Sequence, residues 1–164
     1  MSPYAAHKYI GEVYLKLYSQ LYGLETVCPR YFNVYGPRLD PEGSYPLVIG
    51  YFMKLLKQGK PLSITGDGEQ TRDFVHVSDV ARANLLAMKS EKVGKGEVIN
   101  IGGGERFSIN HIADLIGGQI EHIAPRIEPH DTLADISKAK ELLNWEPMVK
   151  LKEGIKELKE INKI

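Results

Sequence analysis

The stretch Pro3-Tyr4-Ala5-Ala6-His7-Lys8 opens a helix, and that helix with the strand after it decides the fold. Proline suits the first helical turn, where its missing N–H would have no partner anyway. Tyr9, Ile10, Val13, Tyr14, Leu17, Tyr18 and Leu21 recur at helical spacing, and Gly23 ends the run, so the helix spans residues 4–22. These apolar positions cover more than one stripe, which predicts burial on more than one side. One residue past Gly23, Leu24-Glu25-Thr26-Val27-Cys28 reads as a short buried strand.

The same alternation continues down the chain. Arg30 to Arg38 leaves the strand and breaks at Gly36-Pro37; a turn follows at Asp40-Pro41-Glu42-Gly43, and an amphipathic helix at 45–57. Leu62 to Thr65 is strand-like and stops at Gly66-Asp67-Gly68. Ser78-Asp79 reads as a capping pair for a helix over 80–89. Residues 97–101 form another strand, and Gly102-Gly103-Gly104 a tight strand-to-helix turn. Ser108 caps a helix over 109–116, and 120–123 is a short strand. A helix begins within 134–139 and stops near Asn144, and a terminal amphipathic helix covers 153–161. Strands alternating with helices give an α/β class.

Composition narrows the function. With 43% hydrophobic and 26% charged residues and a net charge of zero, nothing marks a nucleic acid or an anionic membrane as partner. No run of apolar residues is long enough to cross a bilayer. The first residues do not read as a signal peptide, and Cys28, the single cysteine, forms no internal disulfide, so a cytoplasmic setting is expected.

Tyr4 and Lys8 are one helical turn apart and share a face. An ammonium beside a phenol favours the phenolate, and such a tyrosine can exchange a proton with a substrate hydroxyl. Arg30, Arg38, Arg72 and Arg126 lie in loops or at strand ends, where a guanidinium fork can grip a diphosphate. The glycine triplet lacks the spacing of a dinucleotide fingerprint and the Lys-Ser/Thr of a phosphate loop. The five histidines (His7, His76, His111, His122 and His130) have no metal-ligand spacing, so no metal is expected. There is no Gly-x-Ser-x-Gly nucleophile turn.

Taken in order, several segments are jointly specific. They are Pro3-Tyr4-Ala5-Ala6-His7-Lys8 with Gly11-Glu12, Arg30-Tyr31-Phe32-Asn33-Val34-Tyr35-Gly36-Pro37-Arg38, and Gly66-Asp67-Gly68 with Thr71-Arg72-Asp73-Phe74-Val75-His76-Val77. Asn100-Ile101-Gly102, Ala134-Asp135-Ile136-Ser137-Lys138-Ala139 and Asn144-Trp145-Glu146-Pro147 complete the set. In this wording and order the chain resembles the C-terminal half of the extended short-chain dehydrogenase/reductase superfamily, in particular nucleotide-sugar epimerases of the UDP-glucose 4-epimerase type.

That resemblance implies the C-terminal part of a Rossmann-type NAD(P)-binding fold plus a small α/β substrate-binding domain. Residues 1–38 would be the dinucleotide-binding remnant and 39–164 mainly the sugar-nucleotide domain, with about 74–102 returning to the Rossmann sheet. It implies an NAD-dependent epimerase that works through a 4-keto sugar. Tyr4 would be the acid/base at the sugar 4-hydroxyl. Lys8 would lower its pKa and hold the nicotinamide ribose. Tyr31 would lie beside the cofactor. Asn33, Ile64, Thr65, Arg72, Arg126 and Glu128 would meet a UDP-sugar, the arginines at its diphosphate. The alternatives are a nucleotide-sugar 4,6-dehydratase or decarboxylase, or a non-catalytic sugar-nucleotide-binding module. Partners implied are a second copy of the chain or a separate N-terminal half.

Two departures bear on these roles. In the family the second diphosphate arginine opens an Arg-x-Gly-Asp/Glu run, whereas here Arg126 is one residue off and Ile127 replaces the glycine. The glycine-rich NAD turn, its acidic ribose ligand and the Ser/Thr partner of the tyrosine have no counterpart in these residues. The isolated chain is therefore expected to be inactive and not to bind NAD.

Overall fold

The computed structural model describes residues 3–40, 47–126 and 128–164. Helix α1 (Pro3–Tyr22) precedes strand β1 (Thr26–Tyr31) and the short β2 (Val34–Tyr35). Helix α2 (Val48–Lys57) leads to β3 (Leu62–Thr65), β4 (Thr71–Asp73) and β5 (Val75–His76). Then come α3 (Val77–Lys89), β6 (Lys95–Ile101), β7 (Arg106–Ser108), α4 (Ile109–Ile116) and β8 (Ile120–Ile123). Helices α5 (Ser137–Leu143) and α6 (Leu151–Asn162) end the chain. The expected turn over 40–43 and the start of the helix over 45–57 fall mostly outside the described residues.

Pairing is mainly parallel, as a strand–helix–strand chain requires. β1 pairs with β6, β2 with β5 and β3 with β8 in parallel, while β4 and β7 run antiparallel. The apolar residues sort into two cores. One joins α2, β3, α4 and α6 around Phe52, Leu62, Ile112 and Ile155, with Tyr35 and Phe74 at its edge. The other joins β6, α3 and α5 around Ile99, Ile101, Ala83 and Trp145. Phe74 belongs to the first core and Val75 to the second, because successive side chains of an extended chain point opposite ways.

Asp79 holds the second core closed. Its buried carboxylate accepts from the backbone N–H groups of Met148 and Val149, each at 2.9 Å, and from Arg82 at 3.0 Å. Its carbonyl accepts from the Trp145 indole at 2.9 Å. Sequence placed Ser78-Asp79 as the cap of α3. Instead α3 starts earlier and His76 is its N-cap, accepting from the Ser78 N–H, which frees Asp79 for this tie.

The expectation for α1 is corrected as well. None of its residues is buried within the chain. It rests on β1 and β6 along Glu12, Leu15, Lys16 and Ser19. Ser19 donates to the Gly94 carbonyl and Thr26 to that of Leu15. Gly96 passes so close that a Cβ there would lie 2.7 Å from Lys16 Cα, and its φ is +81°. Two strands cover only this stripe, so the remaining tyrosines and aliphatics face outward.

Candidate functional site

Four groups of side chains are set by these elements. The first is on α1. Lys8 Nζ lies 5.5 Å from the centre of the Tyr4 ring, within cation–π range. The i, i+4 spacing puts both on one face, and Tyr4 is 71% exposed. An open groove of about 610 Å³ runs beside Lys8 between α1 and β1, lined also by Glu12, Tyr14, Tyr18, Val27 and Cys28.

The second group is at the end of β1. Tyr31 donates its hydroxyl to Asn84 of α3 at 2.8 Å. Asn33 takes a left-handed backbone with φ +32°, uncommon for a residue other than glycine. Its amide donates to the Asp73 carbonyl at 2.6 Å, which ties the end of β1 to β4. Arg30 had been a candidate diphosphate fork. Its guanidinium makes two bonds of 2.6 Å to the carboxylate of Glu12, so the fork is filled from within and anchors α1 to β1.

The third group is a strap, residues 128–134, bound to every residue of β4. Thr71 donates its N–H to the His130 carbonyl and accepts from the Thr132 N–H, and its hydroxyl donates to Asp131 at 2.5 Å. Arg72 donates to the carbonyls of Thr71 and His130 at 2.8 and 3.1 Å, and to the Glu128 carboxylate at 2.8 Å. Asp73 accepts from the Ala134 N–H at 3.0 Å. Arg126 comes to 3.8 Å from the other oxygen of Glu128. The structure thus brings Arg72, Arg126 and Glu128 together despite the one-residue offset of Arg126.

Asp73 also accepts from the N–H groups of Gly103 and Gly104. Burial pushes its carboxyl pKa up, and these three backbone N–H bonds oppose the shift. The glycine triplet is therefore an anion cradle, but its anion is the chain's own carboxylate. The triplet leads into β7, not directly into a helix, so the expected strand-to-helix turn is corrected to a turn wrapped around Asp73.

The fourth group is β3. The Ile64 side chain is wholly buried in the first core, so only its backbone is left for a ligand. Thr65 is half-buried, and its carbonyl accepts from Gln70 at 2.9 Å. Arg38 stands apart from the arginine pair. It lines a cavity of about 440 Å³ between α2 and α6 with Leu39, Met53 and Leu158. Among the described residues no cluster of three or more His, Cys, Asp or Glu side chains has metal-binding geometry. No helix there is long and apolar enough to cross a membrane.

Sequence reasoning missed Asn84, Asp73 and the Thr71–Asp131–His130 chain. All three act across long sequence separations. Only the segment Thr71-Arg72-Asp73, quoted for the family resemblance, gave any hint of them.

Comparison with known proteins gives a consistent result. The family model described as the NAD dependent epimerase/dehydratase family matches residues 1–102. A putative UDP-glucose 4-epimerase of Methanocaldococcus jannaschii is 46% identical over 163 residues, covering 95% of this chain and 52% of that protein. A UDP-glucuronate 4-epimerase of Thermodesulfobacterium geofontis is 42% identical over 164 residues, with 95% and 49% covered. Among solved structures, UDP-glucose 4-epimerase of Thermotoga maritima with UDP-glucose superposes with a TM-score of 0.91 at 40% identity, over 99% of this chain and 54% of that one. The chain spans about half the length of the curated relatives it matches. Its α/β architecture with parallel strands is that of Rossmann-type epimerases.

Proposed function

This chain belongs to the NAD-dependent epimerase/dehydratase family, and on that premise we propose that it forms the proton-transfer and sugar-nucleotide-binding half of a UDP-sugar 4-epimerase. The observation that carries the reading is the meeting of Arg72 and Arg126 on one carboxylate beside β4. Two guanidinium groups held that close form a receptor for a diphosphate. Residues 1–38 with about 74–102 are read as the dinucleotide-binding part, and the first core as the sugar-nucleotide part.

The residues fit only one end of NAD. Tyr4 and Lys8 share an exposed face suited to the nicotinamide ribose, whereas the glycine cradle is filled by Asp73 and holds no phosphate. When bound, NAD supplies reversible hydride transfer at the sugar carbon. The Tyr4 oxygen takes the proton of the sugar 4-hydroxyl and returns it to the keto oxygen after the sugar has turned over. Lys8 presents its ammonium to ribose hydroxyls. Tyr31, fixed by Asn84, stands near the cofactor, and Asn33 reaches the sugar-diphosphate from its strained turn. Arg72 and Arg126 bind the diphosphate end, Glu128 beside them meets another part of the UDP-sugar, and the Ile64–Thr65 backbone meets the base. The same geometry admits a 4,6-dehydratase or a decarboxylase, which share the oxidised sugar intermediate.

A second reading is favoured by the exposure of Tyr4, whose near neighbour is Lys8: the chain by itself is a sugar-nucleotide-binding module. Either way UDP should bind, and NAD should not bind tightly to the 164-residue chain. Calorimetry with both ligands tests this. Absence of UDP binding would reject the arginine receptor, and tight NAD binding would reject the one-ended fit. The outward apolar face of α1 further favours pairing with a second copy or with an N-terminal half.

A further inference from the structure

We infer that Gln70 is a positioning residue that sets the base selectivity of the site, a role resting on the reading of the β3 backbone as the place that meets the base. β3 is paired on one side only, with β8. The Leu62 N–H donates to the Gln119 carbonyl at 2.7 Å and the Gly66 N–H to the Ile123 carbonyl at 3.0 Å. Backbone groups of successive residues point to opposite sides of a strand, so Leu62, Ile64 and Gly66 are turned to β8 and Ser63 and Thr65 to the open edge. Along that edge stand the Ser63 N–H, the Ser63 carbonyl, the Thr65 N–H and the Thr65 carbonyl. The first three have no partner among the described residues. The fourth accepts from the Gln70 side-chain amide at 2.9 Å.

The edge alternates donor and acceptor. Uracil offers acceptor, donor, acceptor at O2, N3–H and O4, the complement of the first three groups. Cytosine has an acceptor at N3 and a donor at its amino group, so in the same register it meets like with like. One step along the strand, however, cytosine would find an N–H and a carbonyl in the right order. The edge therefore tells the two bases apart only while the register is fixed. Arg72 fixes one end through the diphosphate. Gln70 immediately precedes β4, which carries Arg72, and ties Thr65 to that strand. Its side chain is only 9% exposed, and a buried amide is held to its partner. The turn itself is held separately, by the Ile109 N–H on the Gln70 carbonyl and the Asn110 N–H on the Gly68 carbonyl. What the Gln70 side chain adds is the link from this turn to the last group of the edge.

Calorimetric titration of the chain and of its Gln70→Met and Gln70→Leu variants with UDP, CDP and inorganic pyrophosphate tests the role. Both variants keep most of the buried volume and lose the donor. Their preference for UDP over CDP should fall about tenfold, as for the loss of one buried hydrogen bond, with pyrophosphate affinity unchanged. A purely structural role would weaken all three ligands alike; that result, or an unchanged preference, overturns the inference. Amide NMR of the unaltered chain needs no variant. UDP, but not pyrophosphate, should shift the Ser63 and Thr65 N–H signals while the Gln70 side-chain amide stays bonded. Release of that amide by UDP also overturns the role. If the unaltered chain binds pyrophosphate but does not prefer UDP to CDP, the base site falls and takes Gln70 with it. If it binds none of the three ligands, the diphosphate reading falls as well.

Discussion

The buried carboxylate of Asp73 accepts the backbone N–H of Gly103, a residue with no room for a side chain: a Cβ there would collide with the Phe74 carbonyl. Asp73 also takes the N–H groups of Gly104 and Ala134. One side chain thus joins β4, the glycine turn and the strap. Asp73→Asn would turn one acceptor oxygen into an N–H donor facing other donors. It should destabilise the chain by about 2–4 kcal/mol, as expected for breaking a buried charged network. Urea unfolding checks this, and a loss under about 1 kcal/mol would reject the hub. The pH sign follows from the raised pKa. The folded state favours the protonated acid, so stability falls as pH rises from about 3.9 through the folded value, an effect absent in the asparagine variant.

Much of this was legible in the sequence where signals are local. Ser108 caps α4, and Leu62–Thr65 and Ile120–Ile123 are strands, as turn residues and apolar runs foretold. β2, β4, β5 and β7 were missed because two- and three-residue strands carry too little pattern, and their pairing is set by distant partners. Arg30 and Arg72 look alike as loop arginines. Only the folded chain shows Glu12 one bond from Arg30, and no local rule could choose between them. The tyrosine-rich periodicity of α1 was real, but periodicity does not say what covers it.

Arg72 is the arginine whose loss should matter most. Arg72→Ala should weaken UDP binding by about 1.5–3 kcal/mol, roughly tenfold to a hundredfold, as for a charged hydrogen-bonded contact. Arg30→Ala should leave UDP affinity unchanged and lower stability only slightly, since its pair with Glu12 is half-exposed on the arginine side. Equal effects of the two substitutions in calorimetry would contradict the assignment.

The His130–Asp131 pair within the strap should weaken on both sides of a pH window. His130 has a raised pKa, chiefly through its bond to Asp131, so its contribution is complete below about pH 6.5 and lost as pH rises through the raised value. Asp131 has a lowered pKa, chiefly through the Thr71 hydroxyl and next through His130. Its contribution is complete above about pH 3.9 and lost as pH falls through the depressed value. The pair is therefore strongest between about pH 4 and pH 6.5. NMR titration should find His130 titrating above about 6.5 and Asp131→Asn returning it toward that value. An unchanged His130 titration in that variant would break the link.

The face of α1 turned away from β1 and β6 carries Tyr9, Ile10, Val13, Tyr14 and Leu17, all exposed. A contiguous apolar surface of this kind on a helix marks an association site more often than a solvated one. A two-fold pairing would cover it with the same surface from a second copy, since self-complementary patches close at two. The alternative, that the helix folds back and hides these residues on its own sheet, does not match the geometry, because β1 and β6 already hold the opposite stripe through Ser19 and Thr26. The chain should therefore run as a dimer at micromolar concentration. Val13→Glu places a charge within the patch, where burial without a partner is costly, and should shift the chain to monomer with its circular dichroism unchanged. Light scattering reads the result directly: a monodisperse monomer, the same with and without Val13→Glu, would remove α1 as an interface.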